Sequence, residues 1–245
     1  MPQISPSALA ENEPASSPYV SNDAGRRPLR VLAPQPPMRL GLDVLARTWA
    51  VKRAMDIVIA AVALVCLAPV FAIIAVAIKF DSPGSVLFRQ ERIGRYGRPF
   101  QMLKFRTMIA DRRKQTLGVP PDAEDRRRAH KTPHDPRITR LGRFLRRSCL
   151  DEIPQLWNVL RGEMSLVGPR PELPEIVARY ESWQHQRHAV TPGLTGWWQV
   201  NRDGRRLMHE STELDLYYLE HWSVGLDLVI LFRTLLIVMR GVGAF

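Results

Sequence analysis

Cysteine is nearly absent: of 245 residues only Cys66 and Cys149 carry a thiol. One lies in an apolar run and the other in an Arg-rich one, which excludes a disulfide framework or a zinc cluster. There is no GxGxxG after a strand, no Walker A lysine loop and no nucleophile elbow, so the common signatures of dinucleotide, P-loop and serine-hydrolase chemistry are missing. The six histidines offer nothing better than the HxxH of His185 and His188, which reads as solvated. Acidic residues are also short, 24 against 35 Lys and Arg, for a formal charge of +11. With 45% hydrophobic and 24% charged residues, the chain is neither a disordered polyelectrolyte, a collagen-like fibre nor a multi-span transporter.

The positive charge is concentrated. Lys104 to Arg147 holds 14 Lys and Arg against 5 Asp and Glu, so +9 of the +11 falls within 44 residues. Such a block faces anions, whether nucleic acid, an acidic lipid surface or a phosphorylated substrate, or else forms a solvated basic face.

Residues 1–48 contain eight prolines and little periodicity, and read as a disordered Pro-rich tail. Nothing there has the order of a signal peptide. Residues 49–80 read as a membrane helix, because Ile57 to Ile78 is 22 residues without a charge, long enough for a ~30 Å hydrocarbon core. Pro69 divides the run into arms of roughly 18 and 14 Å, each about half a bilayer. Basic residues flank both ends, Lys52 and Arg53 before and Lys79 after, so the positive-inside rule places both in the cytoplasm. A re-entrant hairpin bent at Pro69 meets both conditions. A Pro-kinked spanning helix and a buried core helix are the competing readings.

Residues 81–225 read as a small, mostly helical cytosolic domain. VLFRQERIG and RPFQMLKFRTM form two strands around a turn at Gly94–Gly97, and a period of two points Lys104 and Arg106 the same way. Two cations on one strand face suit a diphosphate, and a plain solvated basic face would look alike. Residues 111–134 lack an apolar period and read as a loop or solvated helix. HDPRITRLGRFLRR puts Ile138, Leu141 and Leu145 on one stripe among Arg137, Arg140 and Arg147, the pattern of a basic amphipathic helix on an anionic membrane or of a solvated one. Residues 226–245 form a C-terminal interfacial helix on the same reasoning, with Arg233 and Arg240 on one face.

The chemistry concentrates in SCLDEIPQLWNVLRGEMSLVGPRPELP. Ile153, Leu156, Trp157 and Leu160 fall on one stripe, predicting a helix from about Asp151. Asp151 is then an N-cap with a dipole-matched Glu152, or the two carboxylates hold a divalent cation and one attacks phosphorus. Gly168-Pro169-Arg170-Pro171 stiffens the backbone around one guanidinium, suiting a phosphate or a uracil edge, or it is a rigid turn. Gln199, Asn201 and Arg202 supply polar groups after Trp197-Trp198.

Taken in order, the apolar hairpin, LFRQERIGRYGRPFQMLKFRTM, DPRITRLGRFLRR, LDEIPQLWNVLRGEMSLVGPRP, TPGLTGWWQV and WSVGLDLVILFRTLLIVMRGVGAF resemble the bacterial sugar transferase family, over about residues 49 to 245. These are monotopic phosphoglycosyl transferases, and the chain resembles a short form without a multi-span N-terminal region. The resemblance implies an α+β monotopic membrane protein on the cytoplasmic face of the bacterial inner membrane. It implies transfer of hexose 1-phosphate, glucose or galactose by likeness, from a UDP-hexose to undecaprenyl phosphate with release of UMP, starting exopolysaccharide synthesis. Asp151 would be the nucleophile, and Asp151 and Glu152 would hold Mg²⁺ or Mn²⁺. Arg170 would contact the nucleotide, with Lys104, Arg106, Arg137 and Arg146 lining the site and Gln199 and Asn201 binding substrate. Membrane lipids, downstream glycosyltransferases and a second copy of the chain are the expected partners, and nucleic acid is not. Two departures stand out: Asn201-Arg202-Asp203-Gly204-Arg205 replaces a shorter Asn-Gly-Arg or Ser-Gly-Arg, and Cys149 stands where Ser is common. The rival functions are a membrane-tethered nucleic-acid binder, with a steep salt dependence, and a glycosyltransferase that releases UDP.

Overall fold

The computed structural model describes residues 42–109, 135, 137–201 and 211–240. The 111–134 excursion, the Arg202–Arg205 loop and most of the Pro-rich tail lie outside them. The two arms expected around Pro69 belong to one helix, α1 (Leu42–Asp81), with Pro69 inside it; it begins seven residues within the stretch read as tail. A proline there leaves the carbonyl of Val65 without its intrahelical donor.

From Ile57 to Ile78 the helix is apolar all round, but its two sides differ. Ala60, Leu64, Leu67, Phe71, Ile74 and Ile78, spaced four and three apart, pack on the core, while Val58, Val62, Val65, Ile73, Val76 and Phe80 are exposed. Polar contacts anchor both halves to the same domain. Before Pro69, Arg53 donates to the carbonyls of Val159 (2.6 Å) and Leu160 (2.8 Å), and Asp56 accepts from the Leu166 N–H at 3.0 Å. After it, Phe71 packs on Phe105 with ring centroids 4.6 Å apart. Arg106 donates to the carbonyl of Ile78 in the last turn of α1 and to those of Ser82 and Pro83 just after it.

The expected hairpin is present. Strands β1 (Leu87–Ile93) and β2 (Pro99–Phe105) pair antiparallel, Arg89 opposite Leu103, around a turn in which Tyr96 and Gly97 take positive φ. Helix α2 (Arg140–Arg147) starts at Thr139, whose hydroxyl accepts from the Gly142 N–H. Leu145 is buried, Leu141 packs against the core, and Ile138 lies before the helix as a bridge partner of Met108.

A 3₁₀ turn, Leu150–Glu152, precedes helix α3 (Gln155–Arg161). The helix thus begins four residues after Asp151, with Pro154 and not Asp151 at its N-cap, which corrects the boundary expected from the apolar stripe. Leu156 and Val159 are buried whereas Trp157 is half exposed, so the buried face is rotated from the expected one. The buried Asn158 amide explains the rotation: it accepts from Leu103 N–H (3.0 Å) and donates to the Gln101 carbonyl (2.8 Å), gripping the edge of β2.

The sequence signalled no second sheet, yet β3 (Ser165–Val167) pairs in parallel with β4 (Gly193–Thr195). At Gly193 a Cβ would stand 2.1 Å from the Gly168 nitrogen, so only glycine permits this approach. Short helices α4 (Pro174–Val177) and α5 (Trp197–Asn201) flank it, followed by α6 (Thr212–Glu220) and α7 (Val224–Met239). On α7, Leu228, Phe232, Leu235 and Met239 are exposed, while Asp227 and Ile230 are buried. Among the described residues the chain therefore has mixed helix and sheet and one helix, Trp49–Asp81, long and apolar enough to cross a membrane, features compatible with a monotopic membrane protein.

Candidate active site

Asp151 and Glu152 occupy the 3₁₀ turn because Cys149, just before it, takes the left-handed conformation at φ 57°. A non-glycine residue there costs roughly 1–2 kcal/mol, and such strain persists where surrounding structure over-determines it. The turn projects both carboxylates toward a cavity of about 830 Å³. Its polar side carries Lys104, Arg146, Asp151, Glu152, Arg170 and Gln199, and its apolar side Leu67, Leu231, Leu235 and Val238.

The neighbouring carboxylates are in opposite situations. Glu152 Oε1 accepts from Lys104 Nζ at 2.7 Å and from the Arg170 guanidinium, whose second nitrogen lies 3.3 Å from Oε2. Burial pushes its pKa up, but Arg170 and then Lys104 outweigh that and hold it below the usual carboxylate range. Asp151, 9% exposed, has no hydrogen bond or ion pair from its carboxylate among the described residues. Burial pushes its pKa up to about 6; Lys104 opposes this, while the adjacent Glu152 charge reinforces it. A desolvated carboxylate near cations but bonded to none is a candidate functional group.

Arg170 is held rigidly. Gly168 N–H donates to the Thr195 carbonyl (2.9 Å) and Gly193 N–H to the Pro169 carbonyl (2.8 Å), locking its loop to β4. The buried Arg187 donates to the Arg170 carbonyl at 2.8 Å and pairs with Asp215 at 2.5 Å. Sequence reasoning missed Arg187 and Asp215, which stand in stretches with no pattern to single them out. Arg146 lines the cavity and donates from Nε to Thr107 Oγ1 at 2.9 Å; burial lowers its pKa, opposed first by Asp151.

Other expected site residues are placed differently. Arg106 lines the cavity along its chain while its guanidinium serves the carbonyls at and just after the end of α1 described above. Arg137 is buried against Asp135, Nη2 to Oδ2 2.6 Å, and is not among the cavity-lining residues. Asn201 lies outside too, donating to the Trp197 carbonyl and accepting from Arg233 at 3.3 Å. Gln199 does line the cavity, and its buried amide has no hydrogen-bond partner among the described residues. His185 and His188 pack with Tyr180 as rings, and burial lowers the His188 pKa to about 4.

No group of three or more His, Cys, Asp or Glu suited to a metal occurs among the described residues. Mg²⁺ needs less, since it binds through one or two carboxylates plus substrate phosphates. The open carboxylate of Asp151 fits that requirement, whereas Glu152 is already neutralised by two cations.

The site is thus a carboxylate pair in a cationic cavity, beside an apolar wall contributed by α1 and α7. The bacterial sugar transferase family model matches residues 47–241, and the chain belongs to that family. It is 42% identical over 194 residues to the UDP-glucose:undecaprenyl-phosphate glucose-1-phosphate transferase of Escherichia coli K12, covering 75% of this chain and 39% of that protein. It is 40% identical over 204 residues to the UDP-galactose-lipid carrier transferase of Erwinia amylovora, covering 79% and 41%. To the exopolysaccharide production protein ExoY of Rhizobium meliloti it is 40% identical over 200 residues, covering 79% and 88%. The chain thus spans about two fifths of the first two relatives and most of the third.

Proposed function

We propose that the protein is an undecaprenyl-phosphate hexose-1-phosphate transferase that uses a UDP-hexose, releases UMP and starts exopolysaccharide synthesis. The observation that carries this reading is the unpaired, desolvated carboxylate of Asp151 beside Lys104, Arg146 and Arg170. An oxygen of Asp151 attacks the sugar-side phosphorus of the diphosphate; the bond from that phosphorus to the bridging oxygen breaks, and UMP leaves. An oxygen of the lipid phosphate then attacks the same phosphorus, the aspartyl–phosphorus bond breaks, and the carboxylate is restored. Arg170, Lys104 and Arg146 neutralise the charge that accumulates on the phosphoryl oxygens. Mg²⁺ or Mn²⁺, held by Asp151 with Glu152 beside it, would supply Lewis-acid neutralisation of the diphosphate. The apolar wall of Leu67, Leu231, Leu235 and Val238 suits a prenyl chain entering beside its phosphate. The relatives named for glucose and for galactose leave either hexose compatible with the site.

The membrane reading is that α1 enters the cytoplasmic leaflet and returns, with α7 lying in the interface. Its support is that both halves of α1 are bonded to one domain, through Arg53 and Asp56 before Pro69 and Ile78 after it, while the opposite stripe is exposed and apolar. A spanning helix would carry these anchors to opposite faces of a ~30 Å core.

The test is to mix the enzyme with UDP-hexose and Mg²⁺ without lipid. Release of up to one UMP per site and a gain in mass of one hexose phosphate are expected. Release of UDP, or of UMP only when lipid is present and with no mass gain, overturns the covalent scheme.

A further inference from the structure

Strand periodicity gives the β1–β2 hairpin two faces, and only one belongs to the site above. Phe88, Gln90 and Lys104 face that cavity, whereas Leu87, Arg89 and Leu103 face a second one of about 1150 Å³. Helix α1 closes the second cavity with Leu64 and Phe71, and α3 contributes Trp157 and Arg161. Its charge is strongly one-sided. Arg89, Arg95, Arg98 and Arg161 meet a single acid, Glu163, which already pairs with Arg161 at 3.5 Å and accepts from Asn158 at 2.7 Å. Arg89 and Arg98 make no side-chain hydrogen bond or ion pair among the described residues, and Trp157 is 51% exposed.

We propose that this cavity binds the headgroup of an anionic glycerophospholipid. Arg89 and Arg98, at opposite ends of the hairpin, hold the phosphodiester, and guanidinium forks match its two free oxygens. The first acyl carbons lie along Leu64, Phe71 and the indole of Trp157, a residue type that favours the headgroup layer. Charge complementarity and the apolar helix together select this occupant. A soluble phosphate would satisfy the arginines and leave the α1 wall exposed, and a zwitterionic lipid would bring its own cation against four others. The inference rests on the membrane reading of α1 and is independent of the transferase chemistry, since none of these residues lines the Asp151 cavity.

The experiment uses the full chain in nanodiscs of equal phosphatidylglycerol and phosphatidylcholine, with the photo-crosslinking residue p-benzoylphenylalanine in place of Trp157. Mass spectrometry of the adducts should show phosphatidylglycerol labelled preferentially. R89E/R98E should reduce that preference by on the order of tenfold, since each arginine at an anionic surface contributes a several-fold gain in affinity. R89Q/R98Q, gentler to the fold, should give an intermediate loss. R140E/R147E on α2 makes the same change of net charge elsewhere and should keep the preference. Equal labelling of the two lipids, a preference retained in both hairpin variants, or equal losses in the hairpin and α2 variants would overturn the site. Absence of any lipid adduct would overturn the membrane reading of α1 as well.

Discussion

The junction of α1 with α7 and the turn that carries Asp151 both bury charge, and they treat it in opposite ways. Where α1 meets α7, Lys52 donates to Asp227 at 2.6 Å, Tyr218 donates to the other Asp227 oxygen at 2.7 Å, and Trp222 stacks on Trp49 with ring centroids 4.7 Å apart. All of Asp227's charge is answered, so the group can only hold two helices together. At the 3₁₀ turn Glu152 is answered in the same way, but Asp151 is left open. A buried charge that is fully paired builds structure, and one left unpaired at a cavity is available for chemistry.

The comparison breaks most directly at Asp151. Asp151→Asn should lower UMP release by about four decades or more, the scale on which loss of a nucleophile acts. In metal-free buffer at pH 8 it should also raise stability by about 1–3 kcal/mol, because the cost of ionising a buried carboxyl is removed. A thermal melt read beside a turnover assay checks both; an active variant would mean that Asp151 is only structural. At the paired junction the opposite holds. Lys52→Met strands the Asp227 charge and should cost about 3–5 kcal/mol in stability, read by denaturant titration, with catalysis per folded molecule little changed.

Arg170→Lys probes the answered partner of the site. A point charge replaces a planar fork, and a loss of roughly 1–3 kcal/mol, or one to two decades in kcat/KM, is expected from steady-state kinetics. Wild-type kinetics would show that Arg170 only shapes its loop.

The smallest effect is in the pH dependence. The folded pKa of Asp151, pushed by burial to about 6 from an ordinary value of 3.8, means that the native state binds more protons than the unfolded state between those pH values. Stability should therefore fall as pH rises from about 4 to about 6, by at most ~1.4 kcal/mol per pH unit for one group, while activity should rise over the upper part of that window as the proposed nucleophile ionises. Burial pushes Asp215 up to about 6 as well. Asp151→Asn should thus flatten the stability curve in part and leave the Asp215 contribution. Melts from pH 4 to 8 on both proteins test this.

Much of this was legible because it depends on local spacing. The period of two brought Lys104 to the cavity beside Glu152, whereas Arg106, one residue past β2, lines it only along its chain. The unbroken apolar run announced α1. The turn residues at Gly94–Gly97 placed the hairpin. The illegible parts are those in which distant segments settle each other. Trp157 fits a buried stripe on paper, but the Asn158 grip on β2 rotates the helix and exposes it. Arg106 and Arg137 look like free cations, yet one is taken by carbonyls at and just after the end of α1 and the other by Asp135. No periodicity could have revealed β3 with β4, since three-residue strands leave no pattern and their pairing depends on backbone approach at Gly193.

By itself the sequence determined the inventory: an apolar helix with charged ends, a basic hairpin, an adjacent carboxylate pair and an arginine between two prolines. Those are consequences of composition and short-range geometry. Only the tertiary structure decided which charges are answered. Asp151 and Glu152 are adjacent, chemically alike residues that share a turn, and nothing local separates their roles. Lys104, 48 positions before Glu152, and Arg170, 18 after it, close on one carboxylate and leave the other bare. Coulomb interactions act through space and burial amplifies them, so this difference exists only once the chain has folded.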